Sequence, residues 1–192
     1  MKYLYPCKPN PLSPESRYFD DLDRDVQWVA EIKKNGWRCG VYRDSGLTLW
    51  TRHKTVIHEP LAALRDSLMA VPENTILDGE LIHFRTKDIK GALYLFDILV
   101  LRGRQITDLP LADRRKHLED IAVKLSGIPL AEQVRVGKKN LYLQAIKEPV
   151  NEGIVLKKLD SKHLVSEKRC PQNPFWLKVK RPEAHVYVMM DK

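Results

Sequence analysis

Gln27 to Arg52 reads QWVAEIKKNGWRCGVYRDSGLTLWTR. Trp28, Ala30 and Ile32 alternate with mostly polar neighbours, which predicts a strand over 27–33 with one buried face. Asn35-Gly36 then supplies a glycine turn. Arg38–Arg43 and Leu47–Arg52 are two further strand candidates on either side of Asp44-Ser45-Gly46, so they predict a hairpin. Strands joined by tight turns, with helices placed elsewhere in the chain, indicate an α+β fold of mixed, largely antiparallel sheets with flanking helices rather than a doubly wound parallel sheet.

The flanking sequence extends this pattern. Leu61, Leu64, Leu68 and Val71 recur at helical spacing up to Pro72, predicting a helix over 61–71. Thr75–Phe84 reads as a strand through Asp78-Gly79-Glu80, and Ala92–Leu101 as a buried strand interrupted by Asp97. Pro110 opens a helix running to about Leu125, with Leu111, Leu118, Ile121 and Leu125 on one face. A short helix over 139–147 and strands over 153–159, 175–180 and 185–190 complete the chain. Upstream, Pro6, Pro9, Pro11 and Pro14 predict an irregular lead-in without helix or strand. Asp21, Asp23 and Asp25 resemble the opening of a calcium loop. Val26 and Ile32 stand where glycine and glutamate are required, so the run reads as a solvated acidic turn. Nothing resembles an interdomain linker, and residues 1–192 are expected to form a single domain.

Composition narrows the function. With 43% hydrophobic and 30% charged residues the chain can bury a core. No apolar run approaches the roughly 20 residues of a membrane-spanning helix. Three widely spaced cysteines suit a reducing compartment and exclude a disulfide framework. The six histidines form no zinc-hydrolase motif. Net charge is +8, and residues 134–192 hold 13 Lys and Arg against 6 Asp and Glu. Such a concentration suits either a polyanionic partner, nucleic acid first, or a solvated basic face.

Five segments carry candidate chemistry: Glu31-Ile32-Lys33-Lys34-Asn35-Gly36-Trp37-Arg38, Asp78-Gly79-Glu80, Leu95-Phe96-Asp97-Ile98-Leu99, Glu152-Gly153-Ile154-Val155-Leu156-Lys157-Lys158 and Trp176-Leu177-Lys178-Val179-Lys180. A lysine is nucleophilic only as the neutral amine, which cationic neighbours and desolvation favour. Lys33 has Lys34 and Arg38 close in sequence. Lys178 and Lys180 alternate with Leu177 and Val179, so both face one side of a strand and suit a phosphate. Glu80 and Glu152 stand beside glycines, where a ligand could approach closely. Phe96 offers a stacking surface. Each piece is common alone; all five in this order describe a nucleotide site with covalent chemistry.

The order resembles the covalent nucleotidyltransferases: ATP-dependent DNA ligases, RNA ligases and mRNA capping enzymes. Residues 28–181 carry the resemblance. Ile76–Ile82, Leu95–Leu99, Leu109-Pro110-Leu111 with Arg114-Arg115, and the hairpin ending Leu49-Trp50-Thr51-Arg52 resemble the DNA ligases most. The resemblance implies an adenylylation domain of the ligase-type nucleotidyltransferase, ATP-grasp-like fold. In it, Lys33 attacks the α-phosphate of ATP and becomes lysyl-AMP. Glu31 and the Ile32 backbone lie near adenine, Phe96 stacks on the base, and Arg38 and Arg52 contact ribose or DNA phosphate. Glu80 holds the ribose hydroxyls, Glu152 serves a catalytic Mg²⁺, and Lys178 and Lys180 contact the α-phosphate. AMP then passes to a 5′-phosphate at a nick in double-stranded DNA.

Asn35 replaces the aspartate commoner in DNA ligases, which keeps an RNA-end ligase as the alternative. A non-catalytic nucleic-acid-binding module of the same fold is the alternative from another class. Only Arg181–Lys192 follow the last motif, so the OB-fold these enzymes carry is expected to be missing from the chain. A monomer in the cytoplasm of a bacterial, archaeal or phage-infected cell, or in a nucleus, completes the expectation.

Overall fold

The protein is described from a computed structural model covering residues 1–58, 61–82 and 91–182. The elements in chain order are β1 (Tyr5–Pro6), β2 (Lys8–Pro11), α1 (Arg17–Arg24), β3 (Trp28–Lys34), β4 (Trp37–Arg43), β5 (Leu47–Thr51), β6 (Val56–Ile57), α2 (Leu61–Leu68) and β7 (Thr75–Ile82), followed by β8 (Ala92–Leu101), β9 (Arg104–Gln105), α3 (Leu111–Ala122), α4 (Lys138–Ala145), β10 (Asn151–Lys158), β11 (Val165–Ser166) and β12 (Gln172–Lys180). The α+β expectation holds. The strand expected over 185–190 and the Phe84 end of the strand through Asp78 lie outside the described residues. No helix among those described is long and apolar enough to cross a membrane.

The chain divides into two compact units. The first comprises Met1–Lys8, Gly36–Ala131 and Leu159–Asn173. Its six-stranded sheet runs β6-β5-β4-β7-β8-β9, antiparallel throughout. Alternation sends Cys39, Val41, Leu49, Leu77, Leu81, Leu93 and Leu95 into one core, closed by Leu64 and Leu68 of α2 and Leu118 and Ile121 of α3. The other face carries Tyr42, Ile76 and Leu99, against which Tyr3, Leu4, Trp50 and Val165 pack. Register slips between Asp78 and Gly79, making Phe96 an extra residue in β8. Such a bulge re-aims a side chain: Leu95 and Ile98 both reach the core, while Phe96 is half-buried.

The second unit comprises Pro9–Asn35, Glu132–Lys158 and Pro174–Lys192. Its sheet runs β2-β12-β10-β3. Trp28, Ala30, Ile154, Leu156, Leu177 and Val179 pack on one face with Phe19 and Leu22 of α1 and Tyr142 and Ala145 of α4.

Two expectations fail at the start of the chain. The proline-rich lead-in forms β1 and β2. Proline cannot donate to a ladder but is tolerated on an edge strand, and β2 is the edge of its sheet. The acidic run is helical: Asp21 and Asp23 lie in α1, whose N-cap Ser16 accepts from the Tyr18 N–H.

Candidate functional site

In the second unit the register fixes which side chains share a face. Gly153 of β10 lies between Lys33 of β3 and Lys180 of β12, and Val155 lies between Glu31 and Lys178. With Ile32, Leu177 and Val179 turned toward the apolar cluster, period-two alternation sends Glu31, Lys33, Lys178 and Lys180 to the opposite face. Lys33 Nζ lies 2.9 Å from Glu152 Oε2, and Lys180 Nζ 2.5 Å from the same oxygen. Burial alone would raise the Glu152 carboxyl. The Lys33 charge and the hydrogen bonds from Lys180 and Lys33 outweigh it and hold it below its ordinary value.

These contacts revise the expected electrostatics. Within its unit Lys33 is paired with the Glu152 carboxylate, and the cation beside it is Lys180 on the same oxygen. Lys34, across the strand, is the neighbouring lysine whose amine is pushed down by burial, with Glu148 opposing. Glu31 is 3% exposed and is held at both oxygens. Lys157 Nζ lies 2.6 Å from Oε2, and Gln133 Nε2 donates to Oε1 at 2.8 Å. The Lys157 ammonium also sits 4.4 Å from the Trp176 ring centroid. Part of the C-terminal basic surplus is therefore internal. Lys138 is likewise fully buried, donating to the carbonyls of Asp23, Asp25 and Arg135.

The backbone itself requires the glycines beside Glu80 and Glu152. A Cβ on Gly79 would lie 2.7 Å from the Tyr94 carbonyl oxygen, and one on Gly153 2.0 Å from that of Val179. Gly153 also has φ +142°. Gly153→Ala should therefore cost about 3 kcal/mol or more of stability, from backbone strain plus overpacking. Denaturant midpoints would register it, and a midpoint matching wild type would refute the close-approach argument.

In the first unit Arg38 leaves β4 beside Asp78 of β7. Its Nε donates to Asp78 Oδ1 at 3.0 Å and its Nη2 to Oδ2 at 2.5 Å, and Nη1 donates to the Cys7 carbonyl. The Arg38 guanidinium lies 5.3 Å from the Phe96 ring centroid. Glu80 Oε1 accepts from the Gly36 N–H at 3.1 Å and so pins the glycine turn. Arg52 is exposed after β5, its Nε 3.0 Å from His53 Nε2. A shallow recess with room for little more than a water is lined by residues including Arg38, Arg52, Asp78, Tyr3, Tyr42 and Trp50.

Sequence reading missed His163 and Cys7. His163 is 2% exposed, with Nε2 3.2 Å from Asp78 Oδ2 and Nδ1 3.6 Å from Cys7 Sγ. Burial opposes its charge, but Cys7 and Asp78 prevail and raise its pKa from 6.5 to about 9. The stability this contributes is complete below about 6.5 and lost as pH rises through about 9. The partners are 85 and 156 residues away in sequence, so no local motif announces them.

The family described as ATP dependent DNA ligase domain matches residues 82–180. The SPbeta prophage-derived DNA ligase-like protein LigB of Bacillus subtilis (strain 168) is 26% identical over 173 residues, covering 81% of this chain and 62% of that protein. A DNA ligase of Thermococcus fumicolans is 30% identical over 192 residues, covering 83% and 33% respectively. Among solved structures, mycobacterial DNA ligase D complexed with ATP and MES gives a TM-score of 0.72 at 24% identity, over 93% of this chain and 60% of that one, a likeness of fold. The chain thus spans 62% of the first curated relative and 33% of the second.

Proposed function

Because the chain belongs to the ATP-dependent DNA ligase domain family, we propose that it is an adenylylation domain and that Lys33 is its nucleophile. The observation that carries this reading is the Lys33–Glu152–Lys180 cluster, three charged groups within 2.9 Å contacts on one sheet face. The neutral Lys33 amine attacks the α-phosphate of ATP. An N–P bond forms, the bond from the α-phosphorus to the bridging oxygen breaks, pyrophosphate leaves, and the amine gives up a proton. A 5′-phosphate oxygen at a DNA nick then takes the AMP and frees Lys33, and the 3′-hydroxyl displaces AMP to seal the strand.

Lys178 and Lys180 hold the α-phosphate. Glu31, fixed by Lys157 and Gln133, and the Ile32 backbone read adenine. Phe96 stacks on the base, Glu80 holds the ribose hydroxyls, and Arg38 and Arg52 take ribose or DNA phosphates. No group of three or more His, Cys, Asp or Glu among the described residues forms a metal cage. The donor set still suits Mg²⁺, which is ordinarily held by one or two carboxylates plus substrate phosphates, and here Glu152 is that carboxylate. When bound, the ion neutralises charge on the phosphates. Residues 1–192 act as one adenylylation domain that works with an OB-fold, as a monomer, wherever the cell keeps its DNA.

The test is the intact mass after incubation with ATP and Mg²⁺, with GTP in parallel. Covalent AMP from ATP, no GMP from GTP, and discharge by nicked duplex carrying a 5′-phosphate are expected. A chain that stays unlabelled with ATP overturns the reading.

A further inference from the structure

Strand alternation alone would turn Glu152 the wrong way. Ile154 and Leu156 of β10 belong to the apolar cluster of the second unit. In an unbroken strand, period-two alternation would send Glu152 to that same face. Instead Glu152 Oε2 meets Lys33 at 2.9 Å and Lys180 at 2.5 Å on the opposite face. The register shows how. Asn151 pairs with Lys34 and Gly153 with Lys33, so β10 advances two residues where β3 advances one. Glu152 is the extra residue of a bulge, and a bulge re-aims a side chain while it disrupts the local ladder.

Backbone carbonyls freed from a ladder need other donors. Arg181, the first residue after β12, supplies them. Its backbone N–H donates to the Glu152 carbonyl at 3.0 Å. Its Nη2 donates to the carbonyls of Glu148 at 2.7 Å and Asn151 at 2.8 Å. The Asn151 N–H also donates to the Glu148 carbonyl at 3.0 Å, and the Asn35 N–H to that of Val150 at 2.9 Å. Lys33 and Lys180 attract the carboxylate once it faces them. Arg181 acts earlier in the chain of causes, on the backbone that turns it.

We propose that Arg181 is a positioning residue: its guanidinium fixes the backbone at the β10 bulge and so aims the Glu152 carboxylate at Lys33. The inference rests on the reading that Lys33 and Glu152 serve adenylylation. Both guanidinium bonds to this segment leave one atom, Nη2, and Arg181 Nε has no hydrogen-bond partner among the described residues. A lysine amine can therefore take over, just as Lys138 Nζ holds three carbonyls elsewhere in this unit. Methionine has a similar stem and no donor, so it cannot.

The experiment reads the place of Glu152 directly, without ATP or metal. A carbodiimide joins a carboxylate to a touching amine as an amide, with net loss of water. Peptide mapping of wild type should find Glu152 joined to Lys33 or Lys180. Arg181→Met should lower that yield about tenfold. It should also slow AMP uptake from ATP and Mg²⁺ about tenfold, with the half-saturating ATP concentration unchanged within about twofold, as expected for a misplaced site group. Arg181→Lys should restore both yield and rate. A residue that merely stabilised the fold would leave the coupling yield of the folded variant at the wild-type level, and that result for Arg181→Met overturns the proposal. So does a folded Arg181→Lys protein that has lost the coupling, which decides the matter even where the methionine variant does not fold. A wild type in which Glu152 couples to neither lysine overturns it as well. A wild type that couples at Glu152 yet takes up no AMP removes the adenylylation reading and leaves the aiming of Glu152 standing.

Discussion

Lys33→Ala will take up no AMP from ATP and will remain folded. The loss should be complete, because an alanine has no atom with which to form the N–P bond. Lys34 cannot substitute, since consecutive strand residues point to opposite faces and Glu152 and Lys180 meet on the Lys33 side. This prediction sets geometry against electrostatics. Lys34 is the neighbour whose amine burial pushes down, so a rule based on amine neutrality alone would choose it. A rule based on phosphate-holding partners chooses Lys33. The fold should survive, since the Lys33 side chain is partly exposed and its partner Glu152 stays paired with a second lysine. Glu152 keeps Lys180 at 2.5 Å. Peptide mapping that finds AMP on Lys34 or Lys157, or labelling of the alanine variant, would refute the assignment.

The residues of this prediction were legible in the sequence because strand alternation is local. Trp28, Ala30 and Ile32 on one side dictate Lys33 on the other, and Leu177 and Val179 dictate Lys178 and Lys180. Glu152 follows from its motif. What alternation cannot supply is register. Glu31 meets Lys157 only because β3 and β10 pair with Val155 opposite Glu31 and Lys157 one step further along. Lys157 and Lys138 read as surface cations because their partners, a carboxylate and three carbonyls, come from distant segments. Helix α1 was hidden for a different reason. It is eight residues long, with only Phe19 and Leu22 buried, too few to establish a helical period. The bulge at Phe96 leaves no mark in a strand that is apolar along most of its length.

Arg114→Met should cost about 3–5 kcal/mol of stability, the usual result of stranding one partner of a buried ion pair. Both side chains of the Arg114–Asp97 pair are wholly unexposed. Arg114 donates Nε and Nη2 to the two Asp97 oxygens at 2.8 and 2.9 Å. Its Nη1 donates to the carbonyls of Leu109 at 2.6 Å and Ser161 at 2.9 Å. Without the guanidinium, Asp97 loses both bonds from Arg114, and the bond from the Ile98 N–H remains. The two carbonyls also lose a donor. Arg115 is the control, identical in type and next in sequence. It pairs with Glu119, 53% exposed, at 2.7 Å and donates to the Ala131 carbonyl. Arg115→Met should cost about 1 kcal/mol. Replacing both members of the buried pair, as Arg114→Met with Asp97→Leu, should recover much of the single-variant loss, because removing both charges also removes the desolvation penalty. A double variant no more stable than Arg114→Met, in denaturant melts with additivity as the baseline, would show that the carbonyl bonds rather than the charge pair carry the energy. Those bonds also hold the chain near His163, because Ser161 lies two residues before it. The cation that stabilises α3 against β8 thus also tethers the segment that brings His163 to Asp78.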